Sequence, residues 1–496
     1  MNNDINQKLF EEESSANTNS VRRGPPNRMN DLSYKDWMRF QKSFFRYSSD
    51  RVLVNECIEF FTKKIWPDGS LSKILIVGIN GFFLNDISSG RSIDHFSNGE
   101  SLDEYLLSLE QTSTSANTYD FIMIDLRSVV PGADELTHFI LNYSSKIFKT
   151  IQNLLIPNRY CCVLANMGEI NGKGFPIPWS IALSARGNLR LRDEKIGLIE
   201  PSNSVVYCLF MQSEKDERPA NPILPNEVNV RNDTKLIPAW IIPKPPPRKR
   251  NEILHPAKYP ETLIEQFIEI FTKPGDKVFD PMVGTGSTVI AAINTNRDGY
   301  GMDIVPEFTD IARKRIADKK APQLFSEFES TSDAFIVDGD VMEIDEIPEF
   351  SQIKFNYVIT SPPYWTMLSN PGNEGQKARR VKKLPLVYSE NPKDLGNIQD
   401  YDEFINKLGL IYDKISDQLT DDGYLTVIVK NIKRDHILYP LAWDLMARLS
   451  RMRGKYEYIG TTLWCQDDIS VKPFAVGIYW VSNIFHHYCL HFKKIR

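Results

Sequence analysis

An α/β fold with largely parallel sheets, laid down twice along the chain, is the class this sequence predicts, and three observations predict it. Short apolar runs alternate with helix-like segments through the second half, as they do where crossovers join parallel strands. One of those runs, Lys277 to Asp280, ends on an acid and opens into a glycine-bearing loop and an apolar helix, the punctuation of a doubly wound sheet. A segment of the first half, Ile147 to Asn166, is echoed without gaps by Ile411 to Lys430.

Composition sets the outer limits. A chain of 496 residues with 42% hydrophobic side chains is long enough to bury real cores in several domains. The net charge of -5 means that a nucleic-acid partner must be met by local basic patches and not by the field of the whole molecule. Cys57, Cys161, Cys162, Cys208, Cys465 and Cys489 show no Cys-x-x-Cys spacing, which argues against a disulfide scaffold and predicts buried thiols in a reducing compartment. There is no charged-then-apolar leader and no apolar run long enough to span a bilayer, so the expectation is a soluble, cytoplasmic protein without membrane contact.

Residues 1–30, polar and ending in a Gly-Pro-Pro turn, read as a disordered tail. Residues 31–240 read as a first α/β unit, beginning with one aromatic-rich amphipathic stretch (Trp37, Phe40, Phe44, Phe45) and containing strands at Ile74 to Val77 and Phe121 to Ile124. "IIPKPPPRKR", residues 241–250, favours extended polyproline geometry and reads as a linker. Residues 251–496 form the second unit, with strands at Lys277 to Asp280, Tyr300 to Asp303, Phe335 to Val337 and Tyr357 to Thr360. The echo pairs Phe148 with Tyr412, Ile151 with Ile415, Leu155 with Leu419 and Tyr160 with Tyr424. Upstream, Tyr119 to Ser128 falls against Phe355 to Tyr364, so that Asp125, Leu126, Arg127 and Ser128 stand where the second copy has Ser361, Pro362, Pro363 and Tyr364. The first unit therefore reads as a degenerate relative of the second. "HHYCLH" near the end, with His486, His487 and His491, alternates with period two and reads as an edge strand; no metal site is expected.

The residues that can carry chemistry cluster in the second unit. In "KVFDPMVGTGSTVIAA" the strand ends at Asp280, and Gly284 and Gly286 let the backbone approach a ligand before a helix begins near Ser287. The Gly-Lys-Ser/Thr ending of a phosphate-binding P-loop is absent. Asp303 ends the next strand roughly twenty residues on, where an open α/β sheet places the acid that binds ribose hydroxyls. Asp338 or Asp340 ends the strand after that and is placed to accept from an exocyclic amine. Three acids at successive strand ends point to a nucleoside. "TSPPYW", Thr360 to Trp365, then adds a proline-stiffened polar and aromatic corner at the end of a fourth strand.

Taken in order, "HPAKYPE" (His255 to Glu261), "DPMVGTGS" (Asp280 to Ser287), "GMDI" and "TSPPYW" resemble the motifs of S-adenosylmethionine-dependent amino-group DNA methyltransferases, in particular those acting on N4 of cytosine. The resemblance covers about residues 251–496 and implies a Rossmann-like methyltransferase sheet with S-adenosyl-L-methionine as cofactor. It implies that Asp280, Pro281, Gly284, Thr285, Gly286 and Ser287 face the methionine end of the cofactor, Asp303 and Ile304 its ribose, and Asp340 its adenine, with Asp338 beside it. His255, Pro256 and Lys258 would pack beside the same pocket. At the corner, Ser361 Oγ and the Pro362 carbonyl accept the protons of a flipped base's amine, Pro363 holds that carbonyl fixed, and Tyr364 and Trp365 offer ring faces for stacking. Serine at this corner favours cytosine; adenine-modifying relatives usually carry Asp or Asn there. An N6-adenine DNA enzyme, an RNA base methyltransferase and a non-catalytic DNA-binding subunit are the competing readings.

Compared with the first copy, the second carries an insertion after the corner, about residues 366–395, in which Lys377, Arg379, Arg380, Lys382 and Lys383 are expected to contact the phosphates of double-stranded DNA. Sequence recognition has no compact segment of its own in the second unit. The first unit is accordingly expected to serve as a reader or as a built-in partner, and family likeness implies a separate cognate restriction endonuclease.

Overall fold

The computed structural model describes residues 29–79, 90–97, 101–112, 116–170, 173–230, 233, 235–243, 259–321, 332–365, 391–434, 437–452, 454–467 and 482–495. Two α/β sheets carry the chain. The first contains β1 (Phe44–Tyr47), β2 (Ser72–Val77), β3 (Arg91–Phe96), β4 (Tyr119–Asp125), β5 (Leu155–Asn166), β8 (Arg190–Ile199) and β9 (Ser204–Gln212), in the order β1-β8-β9-β5-β4-β2-β3. A small hairpin, β6 (Gly168–Ile170) with β7 (Lys173–Phe175), follows β5.

The second sheet contains β10 (Trp240–Ile241), β11 (Lys277–Asp280), β12 (Asp298–Asp303), β13 (Ala334–Asp338), β14 (Phe355–Thr360), β15 (Leu419–Val429), β18 (Tyr456–Cys465) and β19 (His486–Lys494). Its order is β10-β18-β19-β15-β14-β11-β12-β13, and the hairpin β16 (Ile432–Arg434) with β17 (Ile437–Tyr439) follows β15. Strand for strand this is the order of the first sheet with β13 added. The directions also agree: β9 and β19 each run antiparallel to both neighbours, and every other pairing is parallel.

Ladder registers place the two copies residue against residue. Phe121 pairs with Tyr160 and Ile122 with Cys161 in the first sheet; Tyr357 pairs with Tyr424 and Val358 with Leu425 in the second. These are the partners that the echo in the sequence aligns. Continuing across, Leu75 opposite Ile122 corresponds to Phe279 opposite Val358, so Ile76 of the first sheet takes the place of Asp280. The doubly wound sheet expected from the sequence is thus present twice, and the first copy lacks the acid at that strand end.

The sheets share one core. Trp179, on the helix Ile177–Ser184, stacks on Trp443 of the equivalent helix Leu441–Ser450 with ring centroids 5.7 Å apart, and meets Tyr488 edge-on at 5.4 Å. Around this apolar contact, Asn431 Nδ2 donates to Glu194 Oε1 at 2.7 Å, Ser43 Oγ is 2.8 Å from His486 Nδ1, and Lys433 pairs with Asp193. A buried hydrophobic cluster runs without a break from Leu75 in one sheet to Phe492 in the other.

Several sequence expectations change. The aromatic stretch divides into two elements: Tyr34–Phe40 is helical, and Phe44 and Phe45 belong to β1. Met29 and Asn30, assigned to the tail, are buried, and Asn30 donates to the Phe60 carbonyl at 2.7 Å. The "HHYCLH" strand is not an edge. It is β19, hydrogen-bonded on both sides, with His486, His487 and His491 buried in it. Period-two alternation marks a strand but not its place in the sheet, and here helices cover both faces. All six cysteines are free and buried. Cys57, Cys162 and Cys208, far apart in sequence, bring their sulfurs within 4.8 Å of one another in the first core. No helix among the described residues is long and apolar enough to cross a membrane.

Candidate active site

The loop after β11 owes its shape to two glycines and two acids. Gly284 and Gly286 have φ of 49° and 85°, in the left-handed region that strains other residues. A Cβ on Gly286 would also stand 2.8 Å from Ala312 Cβ, so the helix Ser287–Asn294 can pack on Pro306–Lys320 only without it. Asp280 has no exposed surface, and its carboxylate accepts from Tyr259 Oη at 2.5 Å, Thr288 Oγ1 at 2.6 Å and the Met282 amide at 3.1 Å. Burial raises its pKa and these donors oppose that rise. Asp303 accepts from the amides of Gly284 at 2.8 Å and Val305 at 3.0 Å, tying the loop to the end of β12. Burial pushes its carboxyl up to about 7 against those two donors.

One pocket collects most of the expected cofactor residues and the corner. Pro281, Met282, Val283, Gly284, Thr285 and Ser287 form one wall, with Asp303, Ile304, Val305 and Phe308 beside them. Gly339, Asp340 and Val341 line it too, as do Ser361, Pro362 and Pro363 of the corner. The corner and the glycine loop therefore face each other because β14 lies next to β11 in the same parallel ladder, with both strands ending at that edge. Ser361 Oγ is 3.3 Å from Tyr364 Oη. Ser287 Oγ is buried on the pocket wall without a hydrogen-bond partner among the described residues, a polar atom that a bound polar ligand would satisfy.

Some expected residues lie elsewhere. Asp280 is behind the wall, with its oxygens taken by protein donors, so it shapes the loop. Asp338 turns away from the pocket and binds Arg313 and Thr309, whereas Asp340 lines it. Trp365 is buried on the far side of the corner, against Tyr401 at 5.1 Å and Tyr439 at 4.7 Å. Tyr364 is buried beside His487, and its ring lies 5.4 Å from Lys430 Nζ. His255, Pro256, Lys258 and the cluster Lys377, Arg379, Arg380, Lys382 and Lys383 lie outside the described residues.

The structure adds residues the sequence did not single out. Tyr259, inside the "HPAKYPE" motif, holds Asp280 and lines the pocket. Lys393 and Asp394 approach from the far end of the insertion, Lys393 Nζ standing 3.5 Å from Asp340. Lys430, at the end of β15, is the counterpart of Asn166 in the echo; burial lowers its pKa to about 8. In the first unit the corresponding corner is occupied by an ion-pair clamp: Arg127 binds Asp125 at 2.7 Å and Asp50 at 2.7 Å. Tyr105 Oη donates to the Asp125 carbonyl at 2.7 Å and fills the space beside Gly78, where a Cβ would stand 2.0 Å from that oxygen.

Residues 181–314 match the family model described as DNA methylase. That match contains the glycine loop and Asp303 and ends before the corner. Among relatives, the chain is 44% identical over 61 residues to Type II methyltransferase M.BglII of Bacillus subtilis (12% of this chain, 17% of the relative). It is 44% identical over 62 residues to M2.DpnII of Streptococcus pneumoniae (12% and 23%). It is 37% identical over 67 residues to M.HpaI of Haemophilus parainfluenzae (14% and 21%). The chain thus spans about a fifth of the length of these relatives. A solved SAM-dependent O-methyltransferase from Thermotoga maritima aligns at TM-score 0.28 and 12% identity, covering 50% of this chain and 68% of that one. Across residues 181–314, where the first unit passes into the glycine loop of the second, the chain is similar to the DNA methylases that act with N6 or N4 specificity.

Proposed function

We propose that the protein is a DNA amino-methyltransferase that transfers the methyl group of S-adenosyl-L-methionine to N4 of a cytosine flipped out of double-stranded DNA. One observation carries the reading: Ser361, Pro362 and Pro363 line the same pocket as Gly284, Thr285 and Asp303. The cofactor, when bound, supplies an electrophilic methyl carbon. Gly284, Thr285 and Ser287 offer its methionine end a close backbone approach and a hydroxyl; Asp303 offers a carboxylate to ribose hydroxyls, and Asp340 an acceptor to the adenine amine.

The corner deals with the nucleophile. An exocyclic amine is a weak nucleophile because its lone pair is delocalised into the ring. Acceptance of its protons by Ser361 Oγ and the Pro362 carbonyl favours the pyramidal form. The two prolines fix that carbonyl before reaction, so no reorganisation is needed at the barrier. Extrusion of the nucleotide, costing a few kcal/mol, is offset by hydrogen bonding at the corner and by stacking in the pocket.

The serine corner favours cytosine over adenine. The first unit is read as a catalytically blank partner whose fold completes the second: Tyr105 fills the space beside Gly78 after its strand β2, and the Arg127 clamp stands at its corner. A cognate endonuclease would fit the Type II names of the relatives. Incubation with methyl-labelled S-adenosylmethionine and either duplex DNA or RNA tests the reading. Label in DNA is expected. Label in RNA alone favours the RNA reading, and cofactor binding without transfer to either favours the non-catalytic subunit.

A further inference from the structure

Three cysteines far apart in the chain meet inside the first unit. Cys57 lies on the helix Asp50–Phe61, Cys162 on β5 and Cys208 on β9, and none of the three has exposed surface. In the β5–β9 ladder Cys208 stands opposite Leu164 and Cys162 opposite Phe210, so both thiols project from one face of the sheet as diagonal neighbours. That face packs against the helix, and the sulfurs of Cys57, Cys162 and Cys208 lie within 4.8 Å of one another. Cys161, the residue before Cys162 on β5, points to the other face and packs in the other core.

A buried cation shares the face of the three thiols. Lys195 of β8 is directly opposite Cys208 in the β8–β9 ladder, and it too has no exposed surface. Its ammonium donates to the Phe40 carbonyl at 2.7 Å and sits 3.3 Å from the ring centroid of Phe40 and 4.3 Å from that of Phe45. Asp193 and Glu56, the acids near enough to act on it, are paired with Lys433 and with Arg39. A buried charge persists where an opposite charge or a metal centre balances it, and the groups left to become anionic beside Lys195 are thiols.

Thiolates select soft and borderline cations. A zinc–sulfur bond of about 2.3 Å sets ligand sulfurs about 4 Å apart, which an inward movement of roughly half an ångström per sulfur supplies here. Three thiolates around a divalent ion carry one net negative charge, and the Lys195 ammonium cancels it. No Cys-x-x-Cys spacing announces the set, because the fold and not the local sequence assembles it.

We propose that Cys57, Cys162 and Cys208 form a thiolate site for one thiophilic divalent cation, with the chemistry of zinc, that staples the helix Asp50–Phe61 to β5 and β9. Binding releases the thiol protons to solvent and leaves one coordination position for a small ligand such as water. The site is structural: its ligands are buried, none of them lines the cofactor pocket, and it stands independently of the methyltransferase reading. With the ion bound Lys195 stays charged, so the pH dependence that burial gives this lysine belongs to the metal-stripped protein.

The test uses the full-length protein, purified without chelator and kept reduced. Elemental analysis should find about one zinc per chain, and X-ray absorption at the zinc edge should show a shell of about three sulfurs. After stripping with chelator, titration with Cd²⁺ alone should restore about one ion per chain, with sulfur-to-metal charge-transfer absorption and a higher unfolding temperature. Cys162→Ser and Cys208→Ser should each weaken Cd²⁺ binding at least about 100-fold, whereas Cys161→Ser, the same change on the other face, should bind as wild type does. A wild-type protein that carries no zinc and takes up no Cd²⁺ would reduce the cluster to three packed thiols and overturn the site. So would a metal shell of nitrogen and oxygen, or Cd²⁺ binding that survives both serine substitutions. The wild-type measurements decide the matter even where a serine variant does not fold.

Discussion

Asp303→Asn separates the tie to the glycine loop, made through the Gly284 and Val305 amides, from the proposed acceptance of ribose hydroxyls. Its oxygens already accept two backbone amides, at 2.8 Å from Gly284 and 3.0 Å from Val305. A carboxylate has about four lone-pair sites, so it retains acceptors for ribose hydroxyls. Its folded value of about 7, against 3.8 ordinarily, means the native carboxyl binds its proton more tightly than the unfolded one. Its contribution to stability is therefore whole below pH 3.8 and is lost as pH rises through about 7. A shift of about three units sets a ceiling of about 4 kcal/mol on that loss.

Asparagine removes this dependence but sets its amide nitrogen against one of the two backbone donors, costing about 1–3 kcal/mol at all pH values. The variant should thus be less stable than wild type near pH 5 and should approach or pass it near pH 8, with a flatter profile between. Cofactor affinity should fall about 10- to 100-fold at pH 8, the value of one or two charge-assisted hydrogen bonds, and the wild-type gain in affinity from about pH 6 to about pH 8 should disappear. Urea unfolding and calorimetry with S-adenosylhomocysteine read the two effects separately. A variant that binds as tightly as wild type with the same pH dependence would refute the carboxylate as nucleoside acceptor, and an unchanged stability profile would refute the titration.

Three further outcomes follow from single contacts. Ser361→Ala should lower turnover at least about 100-fold, as loss of a transition-state acceptor does, and leave S-adenosylhomocysteine affinity within about twofold; comparable losses in both would place Ser361 in cofactor binding instead. Trp443→Ala removes the ring stacked on Trp179 and should cost about 3–5 kcal/mol in urea unfolding, with a loss under about 1 kcal/mol contradicting a shared core. Lys195, fully buried with its ammonium 2.7 Å from the Phe40 carbonyl, has its pKa lowered to about 7 by burial. Its native form releases the proton more readily than the unfolded one, so it contributes a rise in stability with pH between about 7 and 10.5, and Lys195→Met should remove that share and flatten the profile.

The second unit was the most legible part of the chain, because its strands end in residues with chemical reasons to be there. Lys277 to Asp280 is strand as read, and the glycine loop stands where the acid and the helix start predicted it. The echo was legible because one helix and strand, Ile147 to Asn166, repeat without gaps at Ile411 to Lys430; the structure extends it to the hairpin and the tryptophan helix. What escaped depends on side-chain direction and on long-range pairing. Alternation cannot separate Asp338 from Asp340, and the rotation that sends one to Arg313 and the other to the pocket is set by packing. Tyr259 was passed over because its role, holding a buried aspartate, depends on a partner twenty-one residues away.

The shared core also bears on the first unit's role. Removing residues up to 243 would bare Trp443 and Tyr488 and strand Asn431 and Lys433 without their carboxylate partners Glu194 and Asp193. Substitutions at the seam are therefore the cleaner probe of its contribution.

The most direct measurement is the identity of the modified base: duplex DNA is treated with the protein and S-adenosylmethionine, digested to nucleosides and analysed by mass spectrometry beside a Ser361→Ala control. The account predicts N4-methylcytosine from the wild-type protein and essentially none from the variant. N6-methyladenine would contradict the cytosine reading, and a product unaffected by the substitution would contradict the corner itself.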